Sequence, residues 1–124
     1  MIQGIEHSAI ASPDPATLAQ WYVDTLGFVI NYRGSTAFFV KAPDGSMIEI
    51  IAAEGARGEN TLKTPGLRHL ALTVTDFDAA YAALQAKHVH FVGEPLDNKG
   101  NKVVFFTDPD GNYLHLLQRA TPLP

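Results

Sequence analysis

The sequence predicts an α+β fold made of one βαβββ module written twice in tandem, and three observations carry that prediction. The stretch "APDGSMIEI" (42–50) runs strand, turn, strand, and "TDPDGNYLHLL" (107–117) does nearly the same in the second half of the chain. Each half opens on a strand-like segment followed by a helical pattern, first at "GIEHSAIA" and again at "GLRHLALTV". A potential metal ligand recurs with the turn: Glu49 lies four residues after Gly45, and His115 four residues after Gly111.

Taken in order, Gly4 to Ala11 alternates well enough for a first strand. "SPDPATLAQWYVDTLG" then reads as a helix, with Ser12 as its cap, Pro13 in its first turn and Gly27 as its stop. Leu18, Trp21, Tyr22 and Leu26 follow helical spacing and predict its buried face. "FVINYR", "TAFFVKA" and "MIEIIAA" read as three short strands, the last two joined by the turn Pro43-Asp44-Gly45. The polar, Gly-rich stretch 54–65 is the expected linker. In the second half Asp76 is expected to cap the helix "FDAAYAALQAK", whose apolar face is Phe77, Ala80, Tyr81 and Leu84. "HVHFVG", "KVVFFTD" and "YLHLLQR" complete a second set of three strands.

Superposing the halves makes the repeat concrete. Gly4 matches Gly66 and His7 matches His69 at an offset of 62; the Pro-Asp-Gly turns match, and Glu49 matches His115, at an offset of 66. The four extra residues fit the loop around "EPLDNKGNK", where insertions cost little. The expected organisation is one domain, 1–124, with module one at 1–53, the linker at 54–65 and module two at 66–124. A half this small cannot cover its own apolar sheet face, so the halves are expected to pack together.

Composition narrows the function classes. The hydrophobic share of 46% suffices for a core, and the net charge of −4 with scattered basic residues argues against nucleic acid. No apolar run approaches the roughly 18 residues needed to cross a membrane, and no signal peptide is visible at "MIQGIEHSAI". With no cysteines there is neither thiol nucleophile nor thiolate ligand, so any metal must be held by nitrogen and oxygen. A cytoplasmic protein is expected.

Four residues stand out: His7, Glu49, His69 and His115. In each half one lies on the first strand and one on the last, among apolar neighbours on its own face. Taken singly, a strand histidine is more often a hydrogen-bonded structural residue than a ligand. A carboxylate in an apolar strand is harder to dismiss, because leaving it buried and unpaired costs several kcal/mol. The repeat places the four in equivalent positions twice, which favours a joint metal site. Trp21, Tyr32, Phe38, Phe39, Phe105, Phe106 and Tyr113 are candidates for the pocket wall. Arg33 and Arg119 are candidates for holding an anionic substrate, and His88 and His90 read as surface or edge residues.

The double module and the motifs "GIEHSAI", "DGSMIEI", "LRHLALTV" and "FFTDPDGNYLHLL" resemble the vicinal oxygen chelate superfamily, which includes glyoxalase I, bleomycin-resistance proteins and extradiol dioxygenases. The resemblance covers essentially the whole chain. It implies that the modules curl into a U-shaped, half-open barrel sheet with helices outside. It also implies one divalent ion, with the metal ligands falling on His7, Glu49, His69 and His115. The last of these is usually Glu in the metal-dependent relatives. Three neutral imidazoles and one carboxylate leave a formal +1 on a divalent ion, which points to a transition metal (Zn, Ni, Fe, Co or Mn) rather than to Mg²⁺ or Ca²⁺.

The implied chemistry is bidentate chelation of a small oxygen-rich substrate by a Lewis-acidic metal, in a glyoxalase-type lyase or isomerase. Glu49 is the first candidate for the catalytic base and His115 the second. Three alternatives remain: a dioxygenase, a metal-free drug-binding protein of the resistance type, and a dimerisation module with a vestigial site. The resemblance further implies a homodimer.

Overall fold

Residues 1–57 form a mixed sheet with one helix on it, and residues 58–124 form a second such unit. The structure is a computed structural model and describes all 124 residues. The division between Arg57 and Gly58 falls inside the expected linker. The fold is α+β, with two open mixed sheets and two helices.

The first unit contains β1 (His7–Ser12), α1 (Pro15–Leu26), β2 (Val29–Arg33), β3 (Phe38–Lys41) and β4 (Met47–Ala52), with sheet order β1-β4-β3-β2. β1 runs parallel to β4, and the other pairs are antiparallel. The first strand starts at His7 rather than Gly4, because its partner β4 begins only at Met47, just past the turn; residues 4–6 have no strand to pair with. In that turn Gly45 takes a φ of +94°, which L side chains rarely adopt, and Asp44 accepts from the Ser46 amide and hydroxyl.

The helix cap differs from expectation. Asp14, not Ser12, caps α1: its carboxylate accepts from the Thr17 amide and hydroxyl, which together hold its pKa below the usual carboxylate value. Pro15, not Pro13, opens the helix, where its missing N–H costs nothing. Ser12 instead ends β1, as a residue before proline is biased to do, and its Oγ accepts from the Asp14 amide. Gly27 stops the helix as expected, in the left-handed region at φ +77° with its N–H on the Val23 carbonyl. Leu18, Ala19 and Tyr22 of α1 are buried with Phe28, Val40, Ile48 and Ile50. Each fully buried large side chain contributes roughly 1.5–3 kcal/mol. Trp21 and Leu26 are only half-buried, so the helix seats a narrower stripe than the spacing predicted.

The second unit contains β5 (His69–Thr73), α2 (Phe77–Ala86), β6 (His90–Phe91), β7 (Leu96–Asn98), β8 (Asn101–Thr107) and β9 (Tyr113–Gln118). Its sheet order is β5-β9-β8-β6, with β7 paired to β8. Asp76 caps α2 through the Ala79 amide, as expected. The strand expected over "HVHFVG" shrinks to two residues, since the backbone takes a positive φ on either side of it, 59° at His88 and 106° at Gly93. The four extra residues are not a plain loop. They build β7 and a hairpin onto β8, with Asn98 opposite Asn101 and both turn residues, Lys99 and Gly100, at positive φ. That is the primed turn geometry whose twist suits a two-residue hairpin.

Candidate functional site

The two sheets repeat one register. In the first unit Glu49 is flanked by Ala9 on β1 and Phe39 on β3; in the second, His115 is flanked by Ala71 on β5 and Phe105 on β8. Ile48 and Ile50 are buried on the α1 side, so by strand alternation His7, Phe39, Lys41 and Glu49 lie on the opposite face. In the same way Leu114 and Leu116 are buried, and His69, Phe105, Tyr113 and His115 share the other face of their sheet.

In the first unit His7 and Glu49 are diagonal neighbours across β1 and β4, with His7 Nε2 3.8 Å from Glu49 Oε1. The other ring nitrogen, Nδ1, lies 2.9 Å from Glu6 Oε1. Phe39 meets the imidazole edge-on at 5.1 Å, and Tyr32 meets Phe39 edge-on at 5.9 Å. Tyr32 reaches this face only through an irregularity. The pairing of β2 with β3 shifts between Ile30 and Tyr32, so that Tyr32 rather than Asn31 lies opposite Phe39. An extra residue in a strand re-aims everything beyond it.

In the second unit His69 and His115 are diagonal in the same way, their ring centroids 4.7 Å apart, and Phe105 contacts both rings. His115 is buried, and its Nδ1 lies 3.2 Å from the Leu116 carbonyl. A carbonyl only accepts, so Nδ1 carries the hydrogen and the neutral ring keeps its lone pair on Nε2. Burial pushes this imidazole below its ordinary pKa; the Leu116 bond opposes the shift, and the charges of His69 and Arg119 add to it. Tyr113 is tied down at its far end, its hydroxyl donating to the Asn60 carbonyl at 3.3 Å. Asn60 also donates to the Gly111 carbonyl and accepts from Arg68, which donates to the Thr61 carbonyl as well.

Each unit thus brings together its own pair of sequence-predicted ligands, and within neither do three such groups gather. Of the seven aromatic candidates, Tyr32, Phe39, Phe105 and Tyr113 share the imidazole faces. Phe106 is fully buried on the α2 side, Phe38 lies opposite Ile50 on the α1 side, and Trp21 packs on Tyr22. Arg33 pairs with Phe38 and sits over its ring, which takes it off the His7 face. His88 and His90 are exposed. Sequence reasoning passed over Glu6, although a carboxylate directly before His7 was the available signal. It also passed over Asn60, which nothing in the linker's composition singles out.

Comparison with known proteins gives a consistent picture. The model of the Glyoxalase/Bleomycin resistance protein/Dioxygenase superfamily matches residues 4–116. An uncharacterized protein of Bacillus subtilis (strain 168), YwkD, is 30% identical over 96% of this chain and 99% of its own length. The metallothiol transferase FosB of Staphylococcus epidermidis is 29% identical over 94% of this chain and 84% of its own. Among solved structures, the oxidase ChaP-H2 superposes with a TM-score of 0.76 at 25% identity, covering 96% of this chain and 95% of that one.

Proposed function

Because the chain belongs to the Glyoxalase/Bleomycin resistance protein/Dioxygenase superfamily, we propose that it is a metal-dependent lyase or isomerase of the glyoxalase type, acting on a small oxygen-rich molecule. The proposed ligands are His7, Glu49, His69 and His115. The observation that carries this reading is the repeated diagonal pair of donors, at one register, in both modules. The donors suit such an ion. Two ligands each about 2.1 Å from one metal, at a right or tetrahedral angle, lie roughly 3.0–3.4 Å apart, and His7 Nε2 and Glu49 Oε1, at 3.8 Å, would have to close by about 0.4 Å to reach the tetrahedral separation. His115 keeps its Nε2 lone pair, as a ligand must. The proposed metals are Zn, Ni, Fe, Co or Mn, and imidazole donors favour Zn, Ni and Fe among them.

A divalent ion bound there supplies Lewis acidity toward two neighbouring oxygens of a substrate. Glu49 is the catalytic base: as a carboxylate it accepts a proton from the carbon beside the substrate carbonyl and returns it to the adjacent carbon. His115 is the second acceptor only when its Nε2, the same atom proposed as a metal ligand, leaves the metal to work as base. Phe39 and Phe105 flank these two groups; His115 is buried, while Glu49 stays partly open to solvent, as a base that must reach a substrate requires. We place the protein in the cytoplasm, in keeping with its lack of cysteines. No helix is long and apolar enough to cross a membrane. A homodimer is proposed too, supported by Ile5 and Leu67, which are each 90% exposed at matching places in the two modules.

The test is metal analysis of protein purified without added metal, beside His69→Ala. Stoichiometric transition metal in the wild type, lost in the variant, together with chelator-reversible turnover of a 2-oxoaldehyde–thiol adduct, is the expected result. A metal-free wild type that stays inactive after loading refutes it. The likeness to FosB favours one second reading, thiol transfer to a small molecule, and turnover with a free thiol and no aldehyde adduct separates the two.

A further inference from the structure

We infer that Glu6 is a positioning residue that sets the tautomer and orientation of His7 so that Nε2 is offered on the Glu49 side. The inference rests on the metal-binding reading above. Its basis is a chain of three groups in the first unit: Glu6 Oε1 lies 2.9 Å from His7 Nδ1, and His7 Nε2 lies 3.8 Å from Glu49 Oε1. The Glu6 carboxylate accepts, so Nδ1 carries the hydrogen and Nε2 of the neutral ring has only a lone pair. That lone pair and a carboxylate oxygen then look toward each other with no hydrogen between them. Two facing acceptors at this distance gain nothing from each other and are satisfied by a cation held between them.

The second module shows that this is a built asymmetry and not a by-product of the repeat. The residue matching Glu6 is Arg68, at the same offset of 62 that relates His7 to His69. Arg68 turns away to the Asn60 side chain and the Thr61 carbonyl, and His69 is held instead by the rings of Phe105 and His115. A histidine that gives its second N–H to a carboxylate is the better oriented and more basic ligand, and losing such a partner costs about 10–100-fold in metal affinity. The Glu6 side chain is 72% exposed, so the bond contributes little to folding and its removal leaves the sheet intact.

The experiment uses the full chain in two states. Without metal, long-range ¹H–¹⁵N spectra of the imidazoles should show hydrogen on Nδ1 of His7 in the wild type and in Glu6→Gln, whose amide oxygen still accepts, but not in Glu6→Ala. With Zn²⁺ as the probe, Glu6→Ala should bind about 10–100-fold more weakly than wild type, and Glu6→Gln should recover part of the loss. Hydrogen on Nε2 of His7 in the wild type overturns the inference, as does Zn²⁺ affinity in Glu6→Ala within about twofold of wild type. If the wild type shows the Nδ1 tautomer but binds no Zn²⁺, the metal reading falls, and with it the purpose assigned to Glu6, while the tautomer assignment stands.

Discussion

Asp108 offers the sharpest test of how the second module aims His115. It is 3% exposed at the end of β8 and holds the turn into β9. One carboxylate oxygen accepts from the amides of Asp110 and Asn112, each at 3.0 Å, and the other accepts from Asn112 Nδ2 at 2.8 Å. A bond to an ionised acceptor is worth about 1.5–3 kcal/mol, and part of three such bonds is recovered when water reaches the freed amides. Asp108→Ala should therefore cost about 3 kcal/mol, or roughly a hundredfold in the opening equilibrium of the β8–β9 hairpin. Amide hydrogen exchange along β9 reads this directly, and Zn²⁺ affinity should fall with it, since β9 carries His115. The control is Asp44→Ala in the first module's Pro-Asp-Gly turn, where Asp44 matches Asp110 and its solvent-exposed carboxylate bonds chiefly to Ser46, so little should change. Acceleration below about fivefold in Asp108→Ala, or equal effects at both turns, would refute the argument that the buried carboxylate organises the hairpin.

Two further outcomes are expected. Burial lowers the pKa of His115 in the fold, while an unfolded imidazole titrates near about 6.5. Between those values the unfolded chain binds more protons, so stability contributed at this site is full above about pH 6.5 and lost as pH falls below it. The urea midpoint in excess chelator should drop from pH 7 to pH 5, and His115→Phe should flatten part of that slope; an identical slope in the variant excludes this cause. Light scattering should give the mass of two chains, and Ile5→Asp with Leu67→Asp should shift it toward one; a monomeric wild type removes the dimer.

The sequence was most legible where local chemistry and the repeat agree. Asp76 and Gly27 sit where side-chain capping and left-handed backbone require them, and the two Pro-Asp-Gly turns start β4 and β9 at matching places. With the turns in register, strand alternation alone puts Glu49 and His115 on one face of their sheets. Cap choice was less legible, because Ser12, Pro13, Asp14 and Pro15 are all competent and only the length of β1 decides among them.

What the sequence by itself determined, then, is the doubled α+β module and the four strand positions with ligand chemistry, since these follow from period-two alternation and from matching offsets. Only the tertiary structure decided which neighbours those positions meet. The irregularity at Asn31 turns Tyr32 onto the His7 face, against the parity that counting residues gives, because one extra residue inverts every side chain after it. The bond from His115 to the Leu116 carbonyl depends on a rotamer fixed by burial between strands distant in the chain, and the approach of Glu6 to His7 on the rotamers of two neighbouring side chains.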